Sequence, residues 1–238
     1  MIISNSLKFV YIHIHKAGGT SMEIGLSPHL KWNDLSLGCT VFGEKINEAY
    51  RQWYQLNKHS SISEVEIICG SEILDEYYVF STVRHPVNRI YSLYNFVGGI
   101  VLEWASHNRV SKSTIKKDLE KYINRYSPLG WPASRAFIVT DNFSSFIRHP
   151  DLLVETAFDT QASRLRASDG RIRGDVYKLE ARQNWLPHLR EKLGFSFDFP
   201  RTNESRFKLA SAKDVNHEDL DFIWKRFEED FKEFSYVK

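Results

Sequence analysis

Cysteine is scarce in this 238-residue chain: only Cys39 and Cys69 occur, in no CxxC pair and no Cys/His cluster. No zinc site is implied by that pattern, and two thiols in a chain of this size read as reduced and intracellular. A surplus of one charge sign is also lacking. With 32 Lys and Arg against 30 Asp and Glu, the formal net charge is +2, which excludes a wholly basic nucleic-acid binder while leaving local basic patches open. No apolar run approaches the roughly 20 residues that span a bilayer. The start of the chain has no basic segment followed by an apolar one, so no secretory signal is read there. Repeats and low-complexity tracts are absent. The expectation is a complete, cytoplasmic chain forming a single domain over residues 1–238. What is present is core-forming material: 42% of residues are hydrophobic and 14% aromatic, enough to exclude global disorder.

Residues 10–15 alternate Val10, Ile12 and Ile14 with Tyr11, His13 and His15, a strand signature. Residues 65–69 and 77–83 are rich in β-branched or aromatic side chains and read as two more strands. The first and third of these runs are each followed by helix-like sequence, so a parallel α/β sheet is predicted. Residues 40–60 read as a helix with Ile46, Tyr50, Trp53 and Tyr54 on one stripe. Pro86 suits the first turn of another helix, and Ile90, Leu93, Tyr94 and Val97 keep its spacing. Between 98 and 140 periodicity is weak, so short helices and loops are expected. Residues 167–170 (ASDG) read as a tight turn between extended segments. Leu220, Ile223, Trp224, Phe227, Phe231 and Phe234 mark a final helix whose aromatic stripe is core.

The first strand ends in Lys16-Ala17-Gly18-Gly19-Thr20-Ser21. Glycines let backbone N–H groups approach an anion, and a helix starting near Thr20 would aim its unpaired N–H groups and positive end at it. Lys16 adds a mobile charge, and Thr20 and Ser21 add hydroxyl donors. This is phosphate chemistry without a Walker A loop, because the lysine precedes the glycines and GxxxxGK[ST] is absent. A second segment, FSTVRHPVNRIYSLYNF (80–96), ends a strand in Arg84 and starts a helix at Pro86. Arg84 can share a phosphate with Ser92 two turns along that helix, with Arg89 three residues before Ser92.

Together these segments resemble the sulfotransferase family, and more narrowly its membrane-free bacterial branch related to carbohydrate sulfotransferases. The family's first loop typically reads His-x-Pro-Lys-Thr-Gly-Gly-Thr-Ser. Here His15 stands in place of the proline and Ala17 in place of the first threonine. The second motif, Arg-x-Pro-x-x-Arg-x-x-Ser, is matched by Arg84, Pro86, Arg89 and Ser92. The resemblance extends to a Lys58-His59-Ser60 run, to Gln161, Glu180 and the pair Asn203/Ser205, and to the closing FEEDFKEFSY.

The resemblance implies a P-loop NTPase-like three-layer α/β fold with a central parallel sheet flanked by helices. It implies sulfuryl transfer from 3′-phosphoadenosine 5′-phosphosulfate (PAPS), with adenosine 3′,5′-bisphosphate as product and no metal. The implied acceptor is a hydroxyl on a glycan or glycolipid. Lys16, Ala17, Gly18, Gly19, Thr20 and Ser21 would hold the 5′-phosphosulfate, and Arg84 and Ser92 the 3′-phosphate. Lys16 would also meet charge on the bridging oxygen as the S–O bond breaks. A base poised near neutrality is needed for the acceptor, which favours histidine. His59 is selected from nine, with Glu72 and His13 as alternatives; relatives that carry Gly-His have Gly70-Ser71 here. Arg164, Arg166, Arg171 and Arg173 could meet an anion or form a solvated face. A kinase-like phosphotransferase and a catalytically silent nucleotide-binding module are the competing readings.

Overall fold

The computed structural model describes residues 1–38, 40–123, 127–201 and 207–238. Cys39, Asn203 and Ser205 lie outside the described residues. In chain order the elements are β1 (Ile2–Ser4), β2 (Phe9–Ile12), α1 (Gly19–Leu26), β3 (Leu35–Ser36), α2 (Val41–Tyr54), α3 (Ile62–Cys69), α4 (Glu72–Glu76), β4 (Tyr78–Val83), α5 (Pro86–His107), α6 (Lys112–Lys117), α7 (Leu119–Tyr122), α8 (Pro132–Val139), α9 (Phe143–Ile147), α10 (Gln161–Leu165), β5 (Asp175–Lys178), α11 (Arg182–Leu193), α12 (His217–Arg226) and α13 (Glu228–Glu233), joined by turns and single-turn helices. The chain divides into two compact units, Met1–His85 with Thr160–Glu204, and Pro86–Asp159 with Ser205–Lys238. No helix among the described residues is long and apolar enough to cross a membrane.

The first unit holds a sheet of order β3-β1-β2-β4-β5. Strands β2, β4 and β5 run parallel, as the strand–helix alternation predicts. The sheet is nevertheless mixed, because β1 pairs antiparallel with both β2 and β3. The reason is length: four residues separate β1 from β2, and so short a link joins only antiparallel neighbours. Phe9, Tyr11, Phe80 and Tyr177 pack with Met22 and Leu26 of α1 and with Trp185 and Leu189 of α11. Val10, Ile12 and Val79, pointing the other way along the same strands, are buried as well. Burial on both faces is what a central parallel strand requires.

The strand predicted over 65–69 is instead α3. Ser61 Oγ accepts from Glu64 N while Glu64 Oε2 accepts from Ser61 N at 2.6 Å, a reciprocal cap that starts the helix. This Ser-x-x-Glu signature overrides the β-branched composition, and the helix buries only Ile62 and Val65. The predicted helix over 40–60 is present as α2, but Trp53 is 73% exposed, so its stripe is not core. The turn at 167–170 forms, with Arg166 bridged to Ile172. Its upstream flank is helix α10, capped by Thr160, where extended chain is predicted.

The second unit is helical. Helix α5 continues through the weakly periodic region to His107, and its Tyr91 ring stacks on Phe143 at 3.8 Å. The last helix breaks at Phe227 into α12 and α13. Ile223, Phe227 and Phe231 join Val87, Ile90, Tyr94 and Val97 in one apolar cluster.

Candidate functional site

Strands β2 and β4 are parallel neighbours with Ile12 opposite Ser81. The loop after β2 and the turn after β4 therefore leave the sheet side by side, at the carboxyl edge where α/β sheets bind ligands. Ser81 Oγ donates to the Ile12 carbonyl at 2.7 Å, and the Arg84 guanidinium donates to the Lys16 carbonyl at 3.3 Å. The backbone of Arg84 is itself clamped. Gln161, fully buried, accepts from Arg84 N and donates to Arg84 O, each at 2.8 Å. Glu180 accepts from His85 N at 2.8 Å. Two side chains from the returning segment thus hold the turn that carries the arginine.

Lys16 and Gly18 both adopt left-handed backbone, with φ of 61° and 87°. Gly18 takes that conformation at no steric cost, whereas Lys16 is strained there. Gly19 is required for space: a Cβ at this position would lie 1.9 Å from the His13 ring. Helix α1 starts at Gly19 without a side-chain cap, and Met22 N donates to the Gly18 carbonyl at 3.2 Å, so the positive end of the helix lies at the glycine turn. Ala17 is fully buried, Ser21 is nearly so, and Thr20 is half-buried. Burial pushes the Lys16 ammonium down to about 8, helped by the positive charges of Arg84 and Lys58. Lys16, Arg84 and a helix N-terminus come together, with Lys58 nearby but paired to Glu44 at 2.9 Å, an arrangement that a bound dianion stabilises.

A cluster of histidines adjoins this loop. The His59 ring stacks on His15, with centroids 3.5 Å apart and planes 21° apart, and meets His13 edge-on at 4.5 Å. His59 Nδ1 lies 3.0 Å from the His13 carbonyl. A carbonyl only accepts, so Nδ1 carries the proton and Nε2 holds the lone pair. Burial, then the charges of His15 and His13, depress His59 well below the ordinary histidine range, so the imidazole is neutral at pH 7. His13 is buried with Nδ1 2.8 Å from Glu23 Oε1, which also receives the Met1 ammonium. Burial dominates over Glu23 and lowers the His13 pKa.

The loop bearing His59 is fixed from several sides. Asn47 of α2 accepts from Lys58 N at 2.8 Å, Asn57 accepts from His59 N at 2.8 Å, and the Met1 ammonium donates to Lys58 O at 2.8 Å. Arg164 of α10 donates to the His59 carbonyl and pairs with Glu64 at 3.2 Å.

Other candidates are placed differently. Glu72 is exposed at the start of α4, not at a strand end, because the predicted strand before it is a helix. Ser92 is half-buried on α5, within the second unit. Arg89 is fully buried in that unit, donating to the carbonyls of Ala157 at 3.0 Å and Asp159 at 2.6 Å, with Asp230 4.0 Å away. It is a structural cation. Of the arginine cluster, Arg164 engages Glu64, Arg166 donates to Gly170 O, Arg171 pairs with Asp169, and Arg173 pairs with Asp169 and Asp75. Sequence reasoning missed Glu23 and Lys58 as neighbours of the site, and read Arg164 as an anion contact where it instead holds the His59 loop. Only Lys58 had a local signal, its place beside His59.

A family model described as the sulfotransferase family matches residues 1–149. Comparison with curated proteins finds no match, and comparison with solved structures finds none. The matched stretch contains both loops, His59 and Ser92, while Gln161, Arg164 and Glu180 lie beyond it.

Proposed function

The chain belongs to the sulfotransferase family, and from that premise we propose that it transfers the sulfuryl group of PAPS to a hydroxyl on a carbohydrate or glycolipid by in-line displacement. The observation that carries this reading is the juxtaposition of two anion-directed turns: the Arg84 guanidinium reaches the Lys16 carbonyl beside the N-terminus of α1. A nucleotide with two separate anionic ends suits such a pair better than a triphosphate chain. The order strand, glycine turn, helix supports a P-loop NTPase-like assignment for this part of the fold.

In this reading Lys16, Gly18, Gly19, Thr20 and Ser21 bind the 5′-phosphosulfate and Arg84 binds the 3′-phosphate. Motif spacing, rather than geometry, assigns Ser92 to that same phosphate. Ala17 contributes backbone alone. Sulfuryl transfer requires alignment and charge stabilisation more than covalent help. Lys16 is assigned to offset charge growing on the leaving oxygen, and an anion bound against it would restore its protonated form. His59 is the proposed base: its Nε2 lone pair takes the acceptor proton as the acceptor oxygen bonds to sulfur. Glu72 lacks the burial and histidine contacts that support His59, and His13 is committed to Glu23.

Thermal unfolding is the first test, with the bisphosphate added in metal-free buffer and ATP added with magnesium in a parallel sample. Adenosine 3′,5′-bisphosphate should raise the midpoint, and ATP with magnesium should raise it less. Transfer of label from radioactive PAPS to a panel of hydroxylated glycans should follow in wild type and be lost in Lys16→Ala and His59→Ala. A larger shift with ATP and magnesium would overturn the assignment in favour of a phosphotransferase.

A further inference from the structure

His15 occupies the position at which the first-loop pattern has proline, and its ring lies face to face with His59 at 3.5 Å. From this stack we infer that His15 is a positioning residue for His59, fixing the imidazole with Nε2 directed away from the His13 carbonyl. The inference rests on the proposed role of His59 as base, and deepens it. Two constraints define the ring. The hydrogen bond from Nδ1 to His13 O fixes one in-plane direction but leaves the ring free to tilt about that axis. A flat partner on one face removes the tilt, and the His13 ring, 4.5 Å away and inclined at 68°, restricts it further.

The electrostatic consequence follows from the same contact. Two stacked imidazoles at this separation cannot both take a proton without strong repulsion, so the pair titrates as one coupled unit. The groups around His59 reinforce this. His15 and Lys16 come from the loop after β2, His13 from the end of β2, and Lys58 from the same loop as His59. The Met1 ammonium lies on Lys58 O, and Arg164 of α10 lies on the His59 carbonyl. The nearby carboxylates are engaged elsewhere, Glu64 with Arg164, Glu23 with His13 and Met1, and Glu44 with Lys58, whose charge it offsets. A proline at position 15 could supply shape but neither the aromatic face nor the coupled titration.

The test is nitrogen-15 histidine NMR on the full-length protein without donor or acceptor, comparing wild type, His15→Ala and His15→Phe, with the His59 signal assigned from His59→Gln. Wild type should show a single Nδ1-protonated tautomer of His59 and a titration midpoint below that of free histidine. His15→Ala should mix the tautomers and raise the midpoint. His15→Phe, which retains a face without a charge, should keep the tautomer and give an intermediate midpoint. An unchanged tautomer and midpoint in His15→Ala would overturn the inference; if that variant does not fold, a wild-type midpoint in His15→Phe would do so. The acid limb of kcat should move upward in pH with the midpoint while KM for PAPS stays constant. Wild type that shows the NMR response but no sulfuryl transfer would remove the functional reading and leave the stack standing. Normal transfer with an unmoved acid limb in His15→Ala would do the reverse.

Discussion

At the scale of single residues, the first loop sets Lys16 in left-handed backbone just before the glycine turn into α1. The Lys-x-Gly-Gly-Thr-Ser run announces an anion site, since each residue type has a physical reason to be there. That Gly19 makes room for the His13 ring, or that His13 meets Glu23, depends on how α1 packs on β2 and has no local signature. Lys16 gives a prediction with a definite sign. Its ammonium titrates at about 8 in the folded chain against an ordinary value of 10.5. Between those values the unfolded chain binds more protons, so the burden of the buried cation is complete below pH 8 and is relieved as pH rises. The stability of wild type relative to Lys16→Met should therefore increase from pH 8 to 10.5, by up to roughly 3 kcal/mol at about 1.4 kcal/mol per pH unit. Urea denaturation at a series of pH values measures it; a flat difference would show that Lys16 is not buried as described.

At the scale of elements, β2, β4, α1 and α5 were readable because periodicity and end signals agreed. Helix α3 departs from its β-branched composition because the Ser61–Glu64 cap starts a helix there. Residues of the returning segment are named by the resemblance, but the partners they hold are not legible, for a different reason. Gln161, Glu180 and Arg164 stand 77, 95 and 105 residues from the partners they hold, and no local pattern encodes contacts at such range. The second motif illustrates how one spacing serves separate tasks. Arg84 is held by Gln161, Pro86 begins α5, and Arg89 ties the second unit together through Ala157 and Asp159. Arg89→Ala should thus act through stability, costing about 3–5 kcal/mol as buried acceptors and Asp230 lose their cation. Denaturant titration of this variant would refute the structural role if its midpoint matched wild type.

At the scale of the whole molecule, the chain builds two units and passes between them three times. The family match ends at residue 149, yet side chains after that point hold the Arg84 turn and the His59 loop. The functional half and its supports are thus distributed along the sequence, which is why the motifs named the chemistry while leaving its scaffold unstated. Central to the proposed chemistry is a nucleotide anchored at two separate phosphates, one by the loop after β2 and one by Arg84. Calorimetric titration of wild type and Arg84→Ala with adenosine 3′,5′-bisphosphate and with adenosine 5′-phosphate, in metal-free buffer, tests that directly. Two anchors predict that Arg84→Ala loses roughly 10–100-fold in affinity for the bisphosphate, the worth of a charge-assisted hydrogen bond, and nothing for the monophosphate. Equal losses for both ligands, or no loss for either, would contradict it.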